Sequence, residues 1–332
     1  MSFFVRIKPS FNRMSFGTLT NDWYCFECHS SDQNCPLIDC KTCFRAFHQK
    51  CLKTDETSDE FQCDYCLNAN QMDSSLKINR LDRISMNRMF GLVLNQFENS
   101  IEDFDFYTEY SLGVNKMSNV LIYSYLDLKT IQLKIKSNSY KNISEFENDF
   151  KHFVHNFMVY RIEGLDRSFQ TFLGHHIKYL KCCSDCYNYG HNQEFRNSDD
   201  PNEWFTRVCD PPHPLVYAKC DGRQNSPFWP SKVIRLLSED KYWIQFFESP
   251  HFECSEVPVV TTKPIDYPFA RSKFRNNNKM RESLAIVSTH IKKLIDLGLG
   301  DINQYRNALN FFERYKLLEP YQPFVRYFYV FY

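Results

Sequence analysis

HPLVYAKC (213–220), SPFWPSKVIRLL (226–237) and KYWIQFF (241–247) are the segments that decide the fold of the second half of this chain. The last segment places apolar side chains at every second position from Tyr242 to Phe246, which is the period of a half-buried strand. In the middle segment Trp229 stands between Pro227 and Pro230, and proline fixes the backbone dihedral φ. The pattern predicts three short strands around a tight corner that holds the Trp229 ring.

Pro227-Phe228-Trp229-Pro230, with VYAK before it and two Phe after the last strand, resembles the PWWP module. Members of that family are five-stranded barrels that bind methylated lysine beside nucleosomal DNA. The resemblance implies a cage whose ring faces attract a trimethylammonium. Trp229 and Phe246 match two walls of that cage, and Ser226 stands at the third, so Phe228 or Tyr217 is the candidate substitute. The alternative is a small barrel whose Trp only fills its core.

The composition indicates a folded chain of two or three domains. It has 332 residues, 43% of them hydrophobic, and only 9 Gly, which argues against disorder over most of its length. Because 40 Lys and Arg balance 40 Asp and Glu, a nucleic-acid partner requires a local basic patch. We find no signal peptide and no window approaching the roughly 18 apolar residues of a membrane span. The 14 Cys therefore point to metal sites in a reducing compartment.

The first half contains an array of Cys and His residues. Their spacing is Cys25-x2-Cys28, Cys40-x2-Cys43-x4-His48-x2-Cys51 and Cys63-x2-Cys66. Thiolates two residues apart grip zinc from a tight turn, and four such pairs supply two tetrahedral sites. So short a segment buries too little surface to fold alone, so we expect two zinc ions to form its core.

This ligand order resembles a PHD finger, in which the pairs interleave. The resemblance implies that one zinc is shared by Cys25, Cys28, His48 and Cys51, and the second by Cys40, Cys43, Cys63 and Cys66. Phe61 stands where the family keeps a core aromatic. Members that cage trimethyl-lysine have Trp at the position of Ala46, whereas Asp32 and Asp39 are candidates for binding an unmodified H3 amino terminus. The alternative is a finger with a purely structural role.

Four helical patterns follow a polar linker. Apolar residues with mostly three- and four-residue steps mark the first, at Leu81, Ile84, Phe90, Leu94, Phe97 and Ile101. A long connector precedes the second helix (128–135), Ser144-x-x-Glu147 is expected to cap the third, and the fourth spans 169–180. LDLKTI (126–131) and HNFMVYR (155–161) resemble bromodomain motifs, which implies a four-helix bundle.

Arg161 is a departure from the bromodomain pattern, because members of that family hold acetyl-lysine through an Asn amide at this position. A guanidinium only donates hydrogen bonds and brings a charge into a pocket for a neutral amide. We therefore predict that the bundle does not bind acetyl-lysine and serves as a rigid spacer or a partner surface.

A second cysteine group, Cys183-x2-Cys186 followed by Trp204-Phe205 and Cys209, lies between the bundle and the barrel. It resembles the linking zinc site of tandem PHD–bromodomain–PWWP chromatin readers. In those proteins a second CxxC pair follows the Trp-Phe pair, and in this chain Thr206 stands at the position of the first Cys of that second pair. Three thiolates require a fourth ligand, for which we take His191, with His213 as the alternative. Reduced thiols without metal are the other interpretation.

Beyond the barrel, residues 263–293 carry eight Lys and Arg against Asp266 and Glu282, a local net charge of +6. Basic residues near aromatic anchors suit contacts with DNA phosphates. The candidate DNA-binding residues are Arg271, Lys273, Arg275, Lys279 and Arg281.

The module order matches the tandem reader family from about residue 21 to residue 296, and most closely its MYND-type readers of H3.3 trimethylated at lysine 36. The MYND finger of longer members, which docks corepressors, is not expected here because the last Cys is Cys254. The resemblance implies a nuclear, non-catalytic reader that binds the histone H3 tail, the nucleosome and the DNA backbone in transcriptional regulation. We expect unidentified transcriptional regulators as further partners, and no membrane.

We therefore predict a multidomain α+β chain. Its predicted parts are an N-terminal segment (1–20), a zinc finger (21–67), a linker (68–78), a helical bundle (79–182), a zinc-binding link (183–212), a five-stranded barrel (213–262), and a basic segment with C-terminal helices and tail (263–332).

One rival to the reader function is an interaction scaffold in a corepressor complex, favoured by Ala46, Arg161 and Ser226. A ubiquitin ligase of the RING type is the other, but RING fingers place His fourth among the ligands, and His48 is fifth. No hydrolase triad or nucleotide-binding motif is present.

Overall fold

The structure is a computed structural model, and it describes most of the chain between residues 22 and 317. The described ranges are 22–31, 35–52, 60–69, 72–100, 124–159, 172–196, 206–219, 227–247, 254–268, 278–315 and residue 317. The chain divides into two compact units, Met1–Lys181 and Cys182–Tyr332. Each unit mixes helices with β-structure, in agreement with the predicted α+β class.

The first unit joins a small cysteine-rich finger to a set of helices. Its elements are β1 (Leu37–Asp39), β2 (Ala46–His48), a 3-10 turn (Gln49–Cys51), α1 (Asp64–Ala69), α2 (Lys77–Arg80), α3 (Arg83–Ser100), α4 (Leu128–Lys136), α5 (Ile143–Val159), a π-helical turn (Leu173–Ile177) and α6 (Lys178–Cys182). The four predicted helical patterns therefore fall on α3, α4, α5 and the π-turn with α6. The predicted linker is partly helical, and Ile78 within it is wholly buried.

Stacked phenylalanines form the core of this unit. The rings of Phe90 and Phe146 lie parallel with centroids 4.5 Å apart, and Phe97 meets Phe150 edge-on at 5.0 Å. The apolar stripe on α3 differs from the predicted one, because Ile84 is 68% exposed. The buried stripe instead uses residues spaced by three and four, namely Met86, Met89, Phe90, Val93, Leu94 and Phe97.

The start of α5 differs from the predicted capping box. Asn142 Oδ1 accepts a hydrogen bond from Glu145 N, and the Glu145 carboxylate accepts one from Lys141 N. The cap is thus Asn142 with Glu145, two residues before Ser144 with Glu147. Glu147 instead pairs with Lys151 and Lys181, which ties α5 to α6.

The finger packs against α5. Its β1–β2 ribbon is antiparallel, and Phe26, Phe47 and Phe61 fill its small core. The buried carboxylate of Asp22 lies 3.4 Å from His155 Nε2, and His155 Nδ1 lies 2.9 Å from His29 Nδ1. Burial lowers the pKa of His29 to about 3, so that imidazole is neutral and able to accept at its unprotonated nitrogen. A polar contact therefore joins the two parts.

The second unit is built on an antiparallel sheet. Two short helices, α7 (Ser184–His191) and α8 (Gln193–Arg196), precede β3 (Leu215–Lys219), β4 (Phe228–Ser238), β5 (Lys241–Phe246), β6 (Cys254–Pro258) and β7 (Lys263–Pro264). The strand order is β6-β5-β4-β3-β7. Register pairs Ala218 with Trp229 and Ser231 with Phe246, so the three predicted strands are adjacent.

Two helices complete the second unit, α9 (Asn278–Asp296) and α10 (Ile302–Arg314). Asp301 begins α10 by accepting from Gln304 N. The apolar faces of both helices form one core with the sheet residues Leu215, Tyr217 and Phe247. No helix in the described part of the chain is long and apolar enough to span a membrane.

We predict that His155→Ala releases the finger from α5, because it leaves the buried Asp22 carboxylate without its imidazole. The expected loss is about 1–3 kcal/mol of unfolding free energy. Hydrogen exchange should accelerate in residues 22–52 and stay slow around Phe150. His175→Ala, on the π-turn, is the matched control. Unchanged exchange in the finger of His155→Ala would contradict the assigned contact.

Candidate functional site

The first ligand set of the finger comprises Cys25, Cys28, His48 and Cys51. A turn carries the first two, β2 ends at His48, and the 3-10 turn ends at Cys51. His48 Nδ1 lies 3.2 Å from Cys28 Sγ and 4.0 Å from Cys51 Sγ, and His48 N donates to Cys25 Sγ. The four ligand atoms lie within 4.8 Å of one another.

The second set comprises Cys40, Cys43, Cys63 and Cys66. The sulfurs of Cys40 and Cys66 are 3.9 Å apart, and those of Cys43 and Cys63 are 3.7 Å apart. The hydrogen bond with Cys63 lowers the pKa of Cys43 below its usual range. The structure thus brings the ligands together in the interleaved sets that the PHD resemblance implies.

The third set lies in the second unit and comprises Cys183, Cys186, Cys209 and His213. Cys186 Sγ lies 3.2 Å from Cys209 Sγ, and His213 Nε2 lies 3.3 Å from Cys183 Sγ and 3.4 Å from Cys186 Sγ. The structure does not bring His191 to this cluster. Nδ1 of His191 hydrogen-bonds the Tyr187 carbonyl, and its ring stacks on the Tyr187 ring at 4.1 Å. His213, and not His191, therefore lies where a fourth ligand to the three thiols would stand.

Three of the sulfur–sulfur separations fit zinc. Zn–S bonds of about 2.3 Å at tetrahedral angles place two sulfurs about 3.8 Å apart, and a disulfide would place them at about 2.05 Å. The observed Cys40–Cys66, Cys43–Cys63 and Cys183–Cys209 separations of 3.7–3.9 Å match the first value. Each set offers thiols with or without one imidazole, which is the donor chemistry of structural zinc.

Trp229 and Phe246 lie together on the sheet. Trp229 is half-buried, Phe246 is 2% exposed, and both belong to the cluster that includes Ala218, Val233 and Ile244. Trp229 therefore offers an accessible ring, and Phe246 lies beneath the surface of the same cluster.

The two candidates for the third cage wall, Phe228 and Tyr217, pack in the cluster of α9 and α10, against which Trp229 also packs. Phe228 precedes Trp229 on β4, and alternation along a strand sends successive side chains to opposite faces. Phe228 packs against the helical core of α9 and α10, with Lys219 Nζ 5.1 Å from its ring centroid. Tyr217 is wholly buried in that same core. Of the predicted wall residues, Trp229 and Phe246 are the two that share the cluster of Ala218, Val233 and Ile244.

Several predicted site residues lie outside the described part of the chain, namely Ser226, Arg161, Arg271, Lys273 and Arg275. Of the DNA-binding candidates, Lys279 is exposed and Arg281 half-buried in the first turn of α9. The Asn156 amide donates to the Leu126 carbonyl at 3.3 Å, so the two bromodomain-like motifs are in contact.

We predict that the purified protein holds three zinc ions per chain, one in each ligand set. His213→Ala should lower the content to two, because three thiolates leave the link site open, whereas His191→Ala should keep three. Metal analysis after exhaustive dialysis measures both. Loss of zinc from His191→Ala and not from His213→Ala would reverse the assignment of the fourth ligand.

Comparisons with known proteins agree with a chromatin-associated chain. Residues 94–170 match the bromodomain family model. Over 320 residues the chain is 21% identical to the MYND-type zinc finger-containing chromatin reader Zmynd8 of Drosophila melanogaster, an alignment that covers 91% of this chain and 18% of the relative. The chain thus spans about a fifth of that curated relative. These similarities support a bromodomain within the first unit.

Proposed function

We propose that this chain is a nuclear, non-catalytic chromatin reader that binds the histone H3 tail and DNA in the nucleosome. The observation that carries the proposal is the bromodomain match over residues 94–170, in a unit that also presents two zinc-type ligand sets. The alignment with a chromatin reader covers 91% of the chain and supports the same proposal. Its biological role would be transcriptional regulation.

The mark we propose is a trimethylated lysine, with lysine 36 of H3 as the first candidate. Trp229 supplies a partly exposed ring, and a ring face attracts a trimethylammonium by cation–π interaction while its methyls are buried. Phe246 would form the floor of the site, since it lies in the same cluster. Because two walls give weak binding, DNA contacts must supply much of the affinity.

The DNA contacts would come from the basic stretch before and within α9. Lys279 is exposed there, and Lys273 and Arg275 lie four to six residues upstream. The net charge of the whole chain is zero, so a local patch must provide any attraction to phosphate. We do not propose acetyl-lysine binding, because Arg161 occupies the position of the recognition amide.

The second candidate is an interaction scaffold that recognises no lysine mark. The near-complete burial of Phe246 favours it, because a ring 2% exposed offers little face to a ligand. Affinity for methylated against unmethylated nucleosomes separates the two candidates.

We predict that Trp229→Ala lowers the preference for nucleosomes trimethylated at H3 lysine 36 about tenfold. The cation–π interaction that it removes is worth about 0.5–2 kcal/mol, and methyl burial is removed with it. Phe228→Ala is the matched control, because Phe228 is the neighbouring aromatic on β4 and strand alternation directs its side chain to the opposite face. Binding to free DNA should be unchanged in both. Equal affinity of the natural protein for the two nucleosomes would leave the scaffold as the function.

We predict that Lys273→Glu with Lys279→Glu weakens nucleosome binding whether or not lysine 36 is methylated. For each phosphate that the variant no longer neutralises, the slope of log affinity against log salt should fall by about one unit. Lys129→Glu with Lys241→Glu, two lysines exposed on α4 and at the start of β5, controls for the same change in net charge. If the affinity and the salt slope stay those of the natural protein, the basic stretch does not bind DNA.

A further inference from the structure

Arg45 is a buried arginine in the loop that joins β1 to β2, and it is 8% exposed. It follows Cys43 by two residues, and its backbone carbonyl accepts a hydrogen bond from Cys40 N at 3.0 Å. The loop that presents two thiols of the second ligand set therefore also fixes the backbone of Arg45. Burying a guanidinium is costly unless its surroundings compensate the charge.

The Arg45 guanidinium contacts a member of the second ligand set directly. Nη1 of Arg45 donates to Cys43 Sγ at 3.6 Å. Because zinc binding deprotonates the thiols, four thiolates around Zn²⁺ leave two negative charges uncompensated. The guanidinium is permanently charged and has several N–H groups, so it can hold this sulfur together with other partners. The hydrogen bond therefore places a lasting positive charge at the finger set that carries the larger negative charge.

Three aromatic rings surround the same guanidinium. The carbon at its centre lies 4.6 Å from the centroid of the Phe26 ring, 4.9 Å from that of Tyr65 and 5.1 Å from that of Phe44. A planar cation is attracted to ring faces, and the attraction grows when water is excluded. The rings therefore hold the guanidinium in place beside the Cys43 sulfur.

Two of these rings also pack against α5. The Phe44 ring lies 4.3 Å from the His152 ring, and the Phe26 ring lies 4.9 Å from the His155 ring, both measured between centroids. Arg45 thus contacts a metal ligand on one side and, on the other, the rings through which the finger meets the helix. This arrangement connects the second ligand set to α5 through one side chain.

We propose that Arg45 is a positioning residue that links zinc binding by Cys40, Cys43, Cys63 and Cys66 to the packing of the finger on α5. Its guanidinium offsets part of the negative charge of the four thiolates and so raises the affinity of this set for zinc. The rings that hold the guanidinium carry the effect to α5. The proposal requires zinc in the finger and is independent of which histone mark the chain binds.

The first test is competition for zinc between the full chain and a chromophoric chelator. Arg45→Met keeps an unbranched side chain and removes its charge, so the second set should bind zinc about ten- to hundredfold more weakly, as for other outer-sphere partners of metal ligands. The third set, in the second unit, serves as the internal reference. Arg83→Met removes an exposed charge at the start of α3 and should leave every set unchanged.

Cadmium-113 NMR supplies a readout that a loss of packing elsewhere would not move. Cadmium, a soft metal, takes the place of zinc at thiolate ligands, and four thiolates give a resonance separate from that of three thiolates with one imidazole. The four-thiolate resonance should shift in Arg45→Met, because the hydrogen bond to Cys43 Sγ is removed. Arg45→Lys retains the charge and should keep the zinc affinity of the second set near the natural value.

A double-mutant cycle tests the link to α5. His152→Ala removes the ring that meets Phe44, so it should weaken zinc binding by the second set at least about twofold in the natural chain. In Arg45→Met the same change should have no further effect, because the side chain that carries it is gone. Effects of the two substitutions that simply add would overturn the link.

Natural zinc affinity of the second set in Arg45→Met would overturn the proposal. If Arg45→Met does not fold, Arg45→Lys decides: near-natural affinity supports the role of the charge, and a loss as large as that of Cys66→Ala overturns it. A natural finger that binds no zinc at the second set overturns it as well. Metal analysis shows that outcome apart from any result with nucleosomes.

Discussion

Convergence of four soft ligands at one point is the constraint on which most of this structure depends. In its described residues the finger has a core of few buried side chains and two strands of three residues each, which is too little apolar surface to offset the entropy of ordering the chain. Two ligand sets hold it instead, and each joins residues separated by more than twenty positions in sequence. The third ligand set connects α7 to the segment before β3 in the same way. Metal coordination by these sets would fix connections that hydrophobic burial alone would not maintain.

The finger also depends on a partner within its own unit. Asp22 and His155 are both buried, and each would carry a desolvation cost without the other. The rings of Phe44 and His152, with centroids 4.3 Å apart, add an apolar contact to that polar one. Because these contacts all lie on α5, the helix that carries the bromodomain-like motif also positions the finger. A surface on the finger and a surface on the bundle are therefore held together in one body.

The sequence predicted features that follow from local spacing and missed those that depend on distant neighbours. CxxC pairs, strand alternation and helical periods are local patterns. The features that they predict lie where expected, namely the ligand sets, strands β3 to β5 and the four helical segments. Spacing alone does not identify the fourth member of the link cluster, because His191 and His213 are equally plausible by spacing. The turn into β3 is what brings His213 close to the three thiols. Phe228 is a candidate for the third wall because Ser226 stands at that position in the family pattern, and strand alternation directs the Phe228 side chain to the face opposite Trp229. Glu147 fitted a capping pattern, yet its carboxylate is used by two lysines, one of them on α6.

The proposed reading surface and the link share one hydrophobic core. Trp229 packs against both the cluster of Phe246 and the cluster that contains Leu215, α9 and α10. Leu215 follows His213 by two residues, and its neighbour in register is Lys232. A change at the zinc site would therefore reach Trp229 through the first turn of β3 and the middle of β4, two strands joined by five residue pairs. Since a cation–π contact depends on the position of the ring face, the link would contribute to the proposed recognition without touching the methylated lysine. Its ligand set would then support the proposed binding surface as well as join α7 to β3.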